Sequence, residues 1–365
     1  MLALEVGKPD RISYTKSGSP LILGFNTDRS KAMFVSELSG FDPDIDQYII
    51  IRDGDFGHVE LLEGRIVHRT DITYDSQPMT AELVETSPAP YPHWTLKEIH
   101  DQAITIQRFL KENTDEATGQ PKIAGLQPGF LDKIRVAEHL IFLGCGTSYN
   151  AAQVGVHYMK ALEVDKTFSV IDGADFEVTD LPSRPTILIL LSQSGETKDL
   201  HRALQIRHPS IIGTLGIVNV ENSLIARETD CCLYLRAGRE QAVASTKSFT
   251  NQVVALVLLF LTLSPLPDLS DYYRGILQLA TDIRKAILTG LDKVQEILPF
   301  FEGQTSCFVL GKQASEWIGR EGALKVKEIS YIHAEGYAAG ELKHGPIALI
   351  DEKMPVIVTA PHDAV

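Results

Sequence analysis

The strongest constraint on what this chain can fold into is "TILILLSQSGETKDL", residues 186–200, where an unbroken apolar run meets a hydroxyl-rich turn with no gap between them. Ile187 to Leu191 is too short for a helix and too apolar for an exposed strand, so it reads as the buried central strand of a parallel sheet. A helix should follow, with Thr197 as its cap. In Ser192-Gln193-Ser194-Gly195-Glu196-Thr197 the small hydroxyls and the glycine are expected to leave backbone N–H groups free at the helix's positive end. That is the geometry of an anion site, most often for phosphate. An ordinary capped βα turn has the same composition, and on this segment alone both readings stand.

A second copy of the pattern favours the anion. In "HLIFLGCGTSYNAAQVGVHYMKAL" a strand, Leu140 to Leu143, runs into Gly144-Cys145-Gly146-Thr147-Ser148, and a helix with apolar spacing begins near Asn150. A third, weaker case is "VASTKSFTNQVVALVLLFL", where Ser245 and Thr246 precede a long apolar helix. Loops at the carboxyl ends of parallel strands converge, so three such loops can share one ligand. There is no G-x-G-x-x-G and no evident ribose-binding acid, which points to a phosphorylated small molecule rather than a dinucleotide.

The balance of the chain agrees with such a ligand only if local groups hold it. A net charge of -14 with no basic block argues against nucleic acid, so dipoles and hydroxyls must do the work of cations. With 365 residues and 44% apolar content, two or three domains with real cores are expected. Cys145, Cys231, Cys232 and Cys307 have no metal-type spacing; reduced thiols, a cytoplasmic location and no metal or cofactor follow as expectations. Met1 is not followed by a charged-then-apolar signal, and Val253 to Leu263, the longest apolar stretch, is too short for a membrane span.

The organisation changes along the chain. Short alternating runs, Leu21 to Phe25, Tyr48 to Ile51 and His58 to Leu62, with turns at Ser17-Gly18-Ser19-Pro20 and Asp53-Gly54-Asp55, predict an antiparallel sheet over residues 1–92. "ETSPAPYPHW" reads as a linker, followed by a helix from Thr95 to Lys111 within a connecting segment, 93–128. Residues 129–290 form one α/β domain. A second begins over 296–365, with a strand and helix in "FEGQTSCFVLGKQASEWIGREGALKVKEISYIH", but only about sixty residues remain, fewer than a domain usually needs.

"CGTSYN", "LSQSGET", "VASTKSFT" and "EGALKVKEISYIHAEGYAAGELKHGPIALI" closely resemble the isomerase half of the glutamine–fructose-6-phosphate aminotransferase family. The resemblance extends more weakly to "SGSPLILGF", "MFVSELSGF" and "YIIIRDGDFGHVE", so essentially the whole chain is covered. It implies sugar-isomerase (SIS) domains, α/β with a flavodoxin-like parallel sheet and flanking helices, preceded by an antiparallel β-rich remnant of a glutaminase domain. The family's glutaminase uses an N-terminal cysteine, whereas this chain starts Met1-Leu2-Ala3 and has no cysteine before Cys145. The chain therefore reads as a fragment of a longer protein or a degraded gene product, with glutamine a substrate only of a full-length form.

Carried over residue by residue, the resemblance implies that Ser192, Gln193, Ser194 and Thr197, with Thr147 and Ser148, hold the 6-phosphate of fructose 6-phosphate or glucosamine 6-phosphate. Val243, through its backbone, and Ser245 lie against the sugar. Cys145 and Gly146 complete the first loop, where a thiol in a tight glycine turn reads as packing rather than nucleophile. Glu321, Lys325 and Glu328 are spaced four and three apart, on one helical face. A solvated ion pair has the same spacing, but the family makes Glu328 the base that moves a proton between C1 and C2, with Lys325 beside it. His344 in "ELKHGP" reads as a turn residue by itself; the family gives it ring opening in the neighbouring subunit's site, implying a homodimer. His333 has no matching second metal ligand.

Several positions depart from the family's usual pattern: "GETKDLHRAL" after the phosphate loop, Arg239, Gln241 and Ala242 before the third loop, and Glu37 where an aspartate is usual. Two other classes stay open from sequence, a phosphosugar isomerase with no ammonia donor and a non-catalytic SIS module that only binds phosphosugar. The first does not need residues 1–92, and the second does not need Glu328 or His344.

Overall fold

The structure, a computed structural model, describes residues 1–361 apart from Ser19, Glu37 and residues 80–86. The Glu37 departure and part of the "ETSPAPYPHW" segment thus lie outside the described residues. Contacts divide the chain into two compact units, residues 1–87 and 88–365.

In the first unit, strands β1 (Leu2–Glu5), β2 (Lys8–Thr15), β3 (Ile22–Phe25), β4 (Ala32–Val35), β5 (Gln47–Ile50), β6 (Phe56–Leu62), β7 (Arg65–Arg69) and β8 (Gln77–Pro78) pair antiparallel. They form two four-stranded sheets, ordered β1-β2-β6-β7 and β4-β3-β5-β8. Strand β3 is buried on both faces, and the two-residue period of a strand explains how. Leu23 and Phe25 pack with Tyr14 and Val59 of the other sheet, while Ile22 points the opposite way, to Phe41, Ile45 and Tyr48. The antiparallel sheet predicted from "PLILGF" and "YIII" is present.

The second unit begins with helices α1 (Trp94–Asn113) and α2 (Pro128–Val136). Strand β9 (His139–Gly144), helix α3 (Thr147–Ala161), strands β10 (Thr167–Asp172) and β11 (Thr186–Ser192), helix α4 (Lys198–Leu204), strand β12 (Ile211–Val218), helix α5 (Leu224–Glu228) and strand β13 (Cys231–Tyr234) follow. The five strands are parallel, in the order β10-β9-β11-β12-β13. That is the flavodoxin-like order, with β11 in the middle. The apolar run that opened the sequence reading is buried along its whole length, and its alternation splits it between two cores. Ile187, Ile189 and Leu191 face one helix layer, with Phe109 of α1 and Phe260 of helix α6 (Lys247–Leu263). Leu188 and Leu190 face the other, with Leu200 and Leu204 of α4 and Ile225 of α5. A polar residue at any of these five positions would have to find a buried hydrogen-bond partner.

Helix α7 (Ser270–Ile297) then leads to strand β14 (Ser306–Gly311), helix α8 (Ala314–Ser330) and strands β15 (His333–Ala338) and β16 (Val356–Val358). The boundary expected at 290–296 falls inside α7, which continues through Gly290 to Ile297. The second sheet, β15-β14-β16, is parallel and repeats the first three strands of the larger one in order and register. Thr167↔His139 to Asp172↔Gly144 in one pair matches His333↔Ser306 to Ala338↔Gly311 in the other.

The two β-to-α turns match as well. At the last residue of each strand, Gly144 and Gly311, the following helix passes over so closely that a Cβ would strike its backbone; at Gly144 the Ser148 carbonyl carbon would be 2.8 Å away. The residue before each helix adopts a left-handed backbone, Gly146 at φ 54°, ψ -120° and Gln313 at φ 54°, ψ -124°. This reversal starts α3 at Thr147, earlier than the expected Asn150. Among the described residues no helix is long and apolar enough to cross a membrane.

These turns give opposite expectations for two substitutions. Gly144→Ala forces α3 off the strand end and should lower stability by about 1–3 kcal/mol. Gln313→Gly removes a strained backbone at some entropic cost and should raise it by about 1 kcal/mol. Urea denaturation of the two variants checks both signs; a stabilised Gly144→Ala contradicts the close approach.

Candidate active site

The carboxyl ends of β9 and β11, the loop before α6, and one face of α8 meet around a cavity of about 260 Å³, small for a ligand site. Cys145, Thr147 and Ser148 line it from the first loop, and Ser192, Gln193, Ser194 and Thr197 from the second. Val243 and Ser245 come from the third, Lys325 and Glu328 from α8. Leu191, the last apolar residue of the central strand, is an additional wall. Two expected residues are not among the lining: Gly146, which shapes the backbone entering α3, and His344, which is exposed at the end of a short 3-10 turn, Leu342–His344.

The hydroxyls of this cavity already have partners, and the direction of those bonds decides what each can still offer. Ser148 Oγ accepts from Gln252 Nε2 at 2.9 Å. Ser194 Oγ accepts from the Glu196 N–H at 3.1 Å. Ser192 Oγ accepts from the Gly195 N–H at 2.9 Å and pairs with Thr197 Oγ1 at 2.9 Å. One of that pair's two hydrogens lies between the oxygens; the other is left over, whichever residue holds it. Ser148, Ser194 and the Ser192–Thr197 pair therefore each keep one O–H donor. Thr197 stands at the cap position of α4 as expected, but its side chain makes no capping bond, because its hydroxyl is turned to Ser192.

Ser245 has the opposite polarity. Its hydroxyl donates to Glu240 Oε2 at 3.0 Å, leaving lone pairs rather than a hydrogen. The Glu240 carboxylate also accepts from the backbone N–H groups of Thr246 at 2.9 Å and Ser248 at 3.1 Å, so it caps α6 from five residues upstream of Ser245. The adjoining segment is held from α1. Glu98, 1% exposed, accepts from the Gln241 N–H at 2.5 Å and the Ala242 N–H at 3.1 Å, and burial raises its pKa. Sequence reasoning missed both acids. The signal at Glu98 was a carboxylate on the same helical stripe as Thr105 and Phe109, which face the core; Glu240 carried none, since its distance to the helix start fits no standard cap.

On α8 the three expected residues do share a face, and their surroundings differ. Glu321, 5% exposed, accepts from Thr147 Oγ1 at 2.9 Å and from Asn150 Nδ2 at 2.9 Å, and its Oε1 lies 3.3 Å from Lys325 Nζ. Lys325 donates to Thr147 Oγ1 at 3.0 Å and stands 2.8 Å from Glu328 Oε2. That last contact is ionic only: the Glu328 oxygen is buried and has no hydrogen-bond partner among the described residues. Both oxygens of Glu321 accept a hydrogen bond, whereas Glu328 Oε2, at the cavity wall, accepts none.

Cys145 is no nucleophile at neutral pH. Burial first, and the Asp172 carboxylate second, push its thiol up to about 11. Among the described residues no three or more His, Cys, Asp or Glu side chains gather as a metal site. Iodoacetamide should accordingly alkylate Cys145 about a hundredfold more slowly than an unperturbed thiol at pH 7.5, with the rate rising as pH approaches 11. Mass spectrometry of the native protein reads this directly, and rapid labelling at pH 7.5 contradicts it.

The comparisons with known proteins follow this geometry. A family model described as "SIS domain" matches residues 133–262 and 301–364, more than half of the chain. The chain is 47% identical, over all of its own length, to a protein of Acanthamoeba polyphaga mimivirus named "Probable glutamine–fructose-6-phosphate aminotransferase (isomerizing)". It is 34% identical, over 97% of its length, to the glutamine–fructose-6-phosphate aminotransferase (isomerizing) of Escherichia coli strain K12. It spans 60% of the first of these relatives and 59% of the second. Among solved structures, the C-terminal domain of glucosamine-fructose-6-phosphate aminotransferase from Francisella tularensis superimposes with a TM-score of 0.65 at 29% identity, over 77% of this chain and 79% of that one. The paired parallel sheets, the hydroxyl loops at their carboxyl ends and the extent of the match lead to one conclusion: the chain belongs to the SIS domain family.

Proposed function

We propose that this cavity binds fructose 6-phosphate and that the chain carries the sugar-isomerising half of a glutamine–fructose-6-phosphate aminotransferase, which forms glucosamine 6-phosphate from that sugar and glutamine-derived ammonia. The observation that carries the reading is the presence in one cavity of both a cluster of O–H donors and an under-bonded carboxylate beside a lysine. The relatives' names, and the "CGTSYN" and "LSQSGET" loops, support the choice of substrate.

The phosphate end follows from the hydrogen inventory. A phosphate dianion has only acceptor oxygens, and Ser148, Ser194 and the Ser192–Thr197 pair each have an O–H hydrogen to give it. Ser245, an acceptor, suits a sugar hydroxyl. At the reacting end ammonia replaces the C2 carbonyl oxygen of the open-chain sugar as an imine, releasing water, and Glu328 is the general base that takes the proton from C1 and returns it at C2, giving the 2-amino aldose. Lys325 stabilises the negative charge of the enolamine formed on the way. Glu321 is less suited to that role, because both of its oxygens already accept hydrogen bonds, from Thr147 and Asn150, and it does not line the cavity. Two carboxylates two helical turns apart are thereby divided by environment between structure and chemistry. His344, exposed in one chain, opens the sugar ring in the site of a second copy within a homodimer.

Two experiments test this. Ser192→Ala combined with Thr197→Ala should weaken fructose 6-phosphate binding by about 1–3 kcal/mol in calorimetry, and it should also lower the melting temperature, because the buried Gly195 N–H loses its acceptor. Unaltered affinity removes the phosphate assignment. Glu328→Gln, assayed in a chain of the relatives' full length, should lower turnover by about 10²–10⁴ while sugar affinity holds. Full turnover in that variant would leave a different base or a binding module as the better reading.

A further inference from the structure

We infer that Gln252, which does not line the cavity, is a positioning residue for anion binding: its side-chain amide turns the Ser148 hydroxyl into a donor aimed at the ligand. This rests on the phosphosugar reading above and adds to it a residue that acts through another.

Gln252 lies on α6 and is 0% exposed, and its Nε2 donates to Ser148 Oγ at 2.9 Å. The two helices can bring these groups together because α3 carries Gly155, two turns beyond Ser148, where a Cβ would run into Leu256, one turn beyond Gln252. A hydroxyl that accepts from a fixed N–H must send its own hydrogen elsewhere. For Ser148 the cavity is where an acceptor can be met.

The other half of the amide argues that this bond is there for binding rather than for stability. Gln252 Oε1 is buried and has no hydrogen-bond partner among the described residues. A buried, unsatisfied amide oxygen weakens a fold, and an apolar side chain of the same length would remove that penalty. The amide's orientation also sets the sign of the effect. Reversed, it would draw the Ser148 hydrogen to Oε1 and leave only lone pairs facing an incoming phosphate, which repel it.

The test compares Gln252→Met, Gln252→Glu, Ser148→Ala and the double variant Ser148→Ala with Gln252→Met. Affinity for fructose 6-phosphate and for inorganic phosphate is read by calorimetry, and stability by thermal melting. Gln252→Met should melt no lower than the wild type while binding both ligands about 3- to 10-fold more weakly, the scale of one hydrogen bond. Gln252→Glu, an acceptor alone, should bind at least as weakly as Ser148→Ala. In the Ser148→Ala background the methionine should cause no further loss, because the residue acts through that hydroxyl. Gln252→Met that binds like the wild type overturns the inference, as does a loss that multiplies with Ser148→Ala, or a lowered melting temperature with affinity intact. If the wild type itself binds neither ligand, the phosphosugar reading has failed; if it binds both and the Gln252 variants match it, only this inference has.

Discussion

A buried carboxylate holds the site in one piece. Glu321 sits on α8, in the smaller sheet's part of the chain, yet two of its partners, Thr147 and Asn150, are on α3 beside the larger sheet. Its third partner, Lys325, also reaches Thr147. Each of these groups would be costly to bury alone, and together they satisfy one another. The consequence is geometric: the first hydroxyl loop and the Lys325–Glu328 pair are fixed to a common point, so a ligand held at one end meets the other at a constant distance. Removing the Glu321 carboxylate would leave the Thr147 hydroxyl and the Asn150 amide without their acceptor, and Lys325 with Glu328 as its remaining anion.

The same economy suits an acidic protein to the anion proposed for it. With a net charge of -14, long-range attraction is not available to this cavity. Hydroxyl hydrogens, directed by backbone N–H groups at Ser192 and Ser194 and by an amide at Ser148, replace bulk positive charge. Directed donors act only at contact, which favours a ligand of the right shape over any passing anion. Of the acids nearest the third loop, Glu240 accepts the N–H groups at the start of α6, and Glu98 accepts those of Gln241 and Ala242 through one of its oxygens.

The repeat of β-loop-helix turns shows how one backbone solution supports two different ends. Gly144 and Gly311 both let a helix cross the strand end closely, and Gly146 and Gln313 share a left-handed turn. The first copy presents Thr147 and Ser148 to the cavity. The second starts α8, whose later turns bring Lys325 and Glu328 to the same place. The repeated element is the backbone, and the chemistry differs by side chain.

The strand at 187–191, the helix after it, the antiparallel pattern of residues 1–87 and the shared face of Glu321, Lys325 and Glu328 were all legible in the sequence. Each is written in a local period, two for a strand and about 3.6 for a helix. Loop composition identified the residues around the cavity for a related reason: short hydroxyl turns at strand ends can only open on one edge of a parallel sheet. What the sequence could not supply was direction and partnership across distance. That Thr197 bonds Ser192 instead of capping α4, that Glu98 grips the loop before α6, that Gln252 donates to Ser148 and that Glu321 accepts from Thr147 and Asn150 of α3 are facts about groups from different elements. Hydrogen bonds between residues far apart in the chain leave no period to read. Only tertiary packing, which sets their distances to a few tenths of an ångström, decides which atom gives the hydrogen and which receives it.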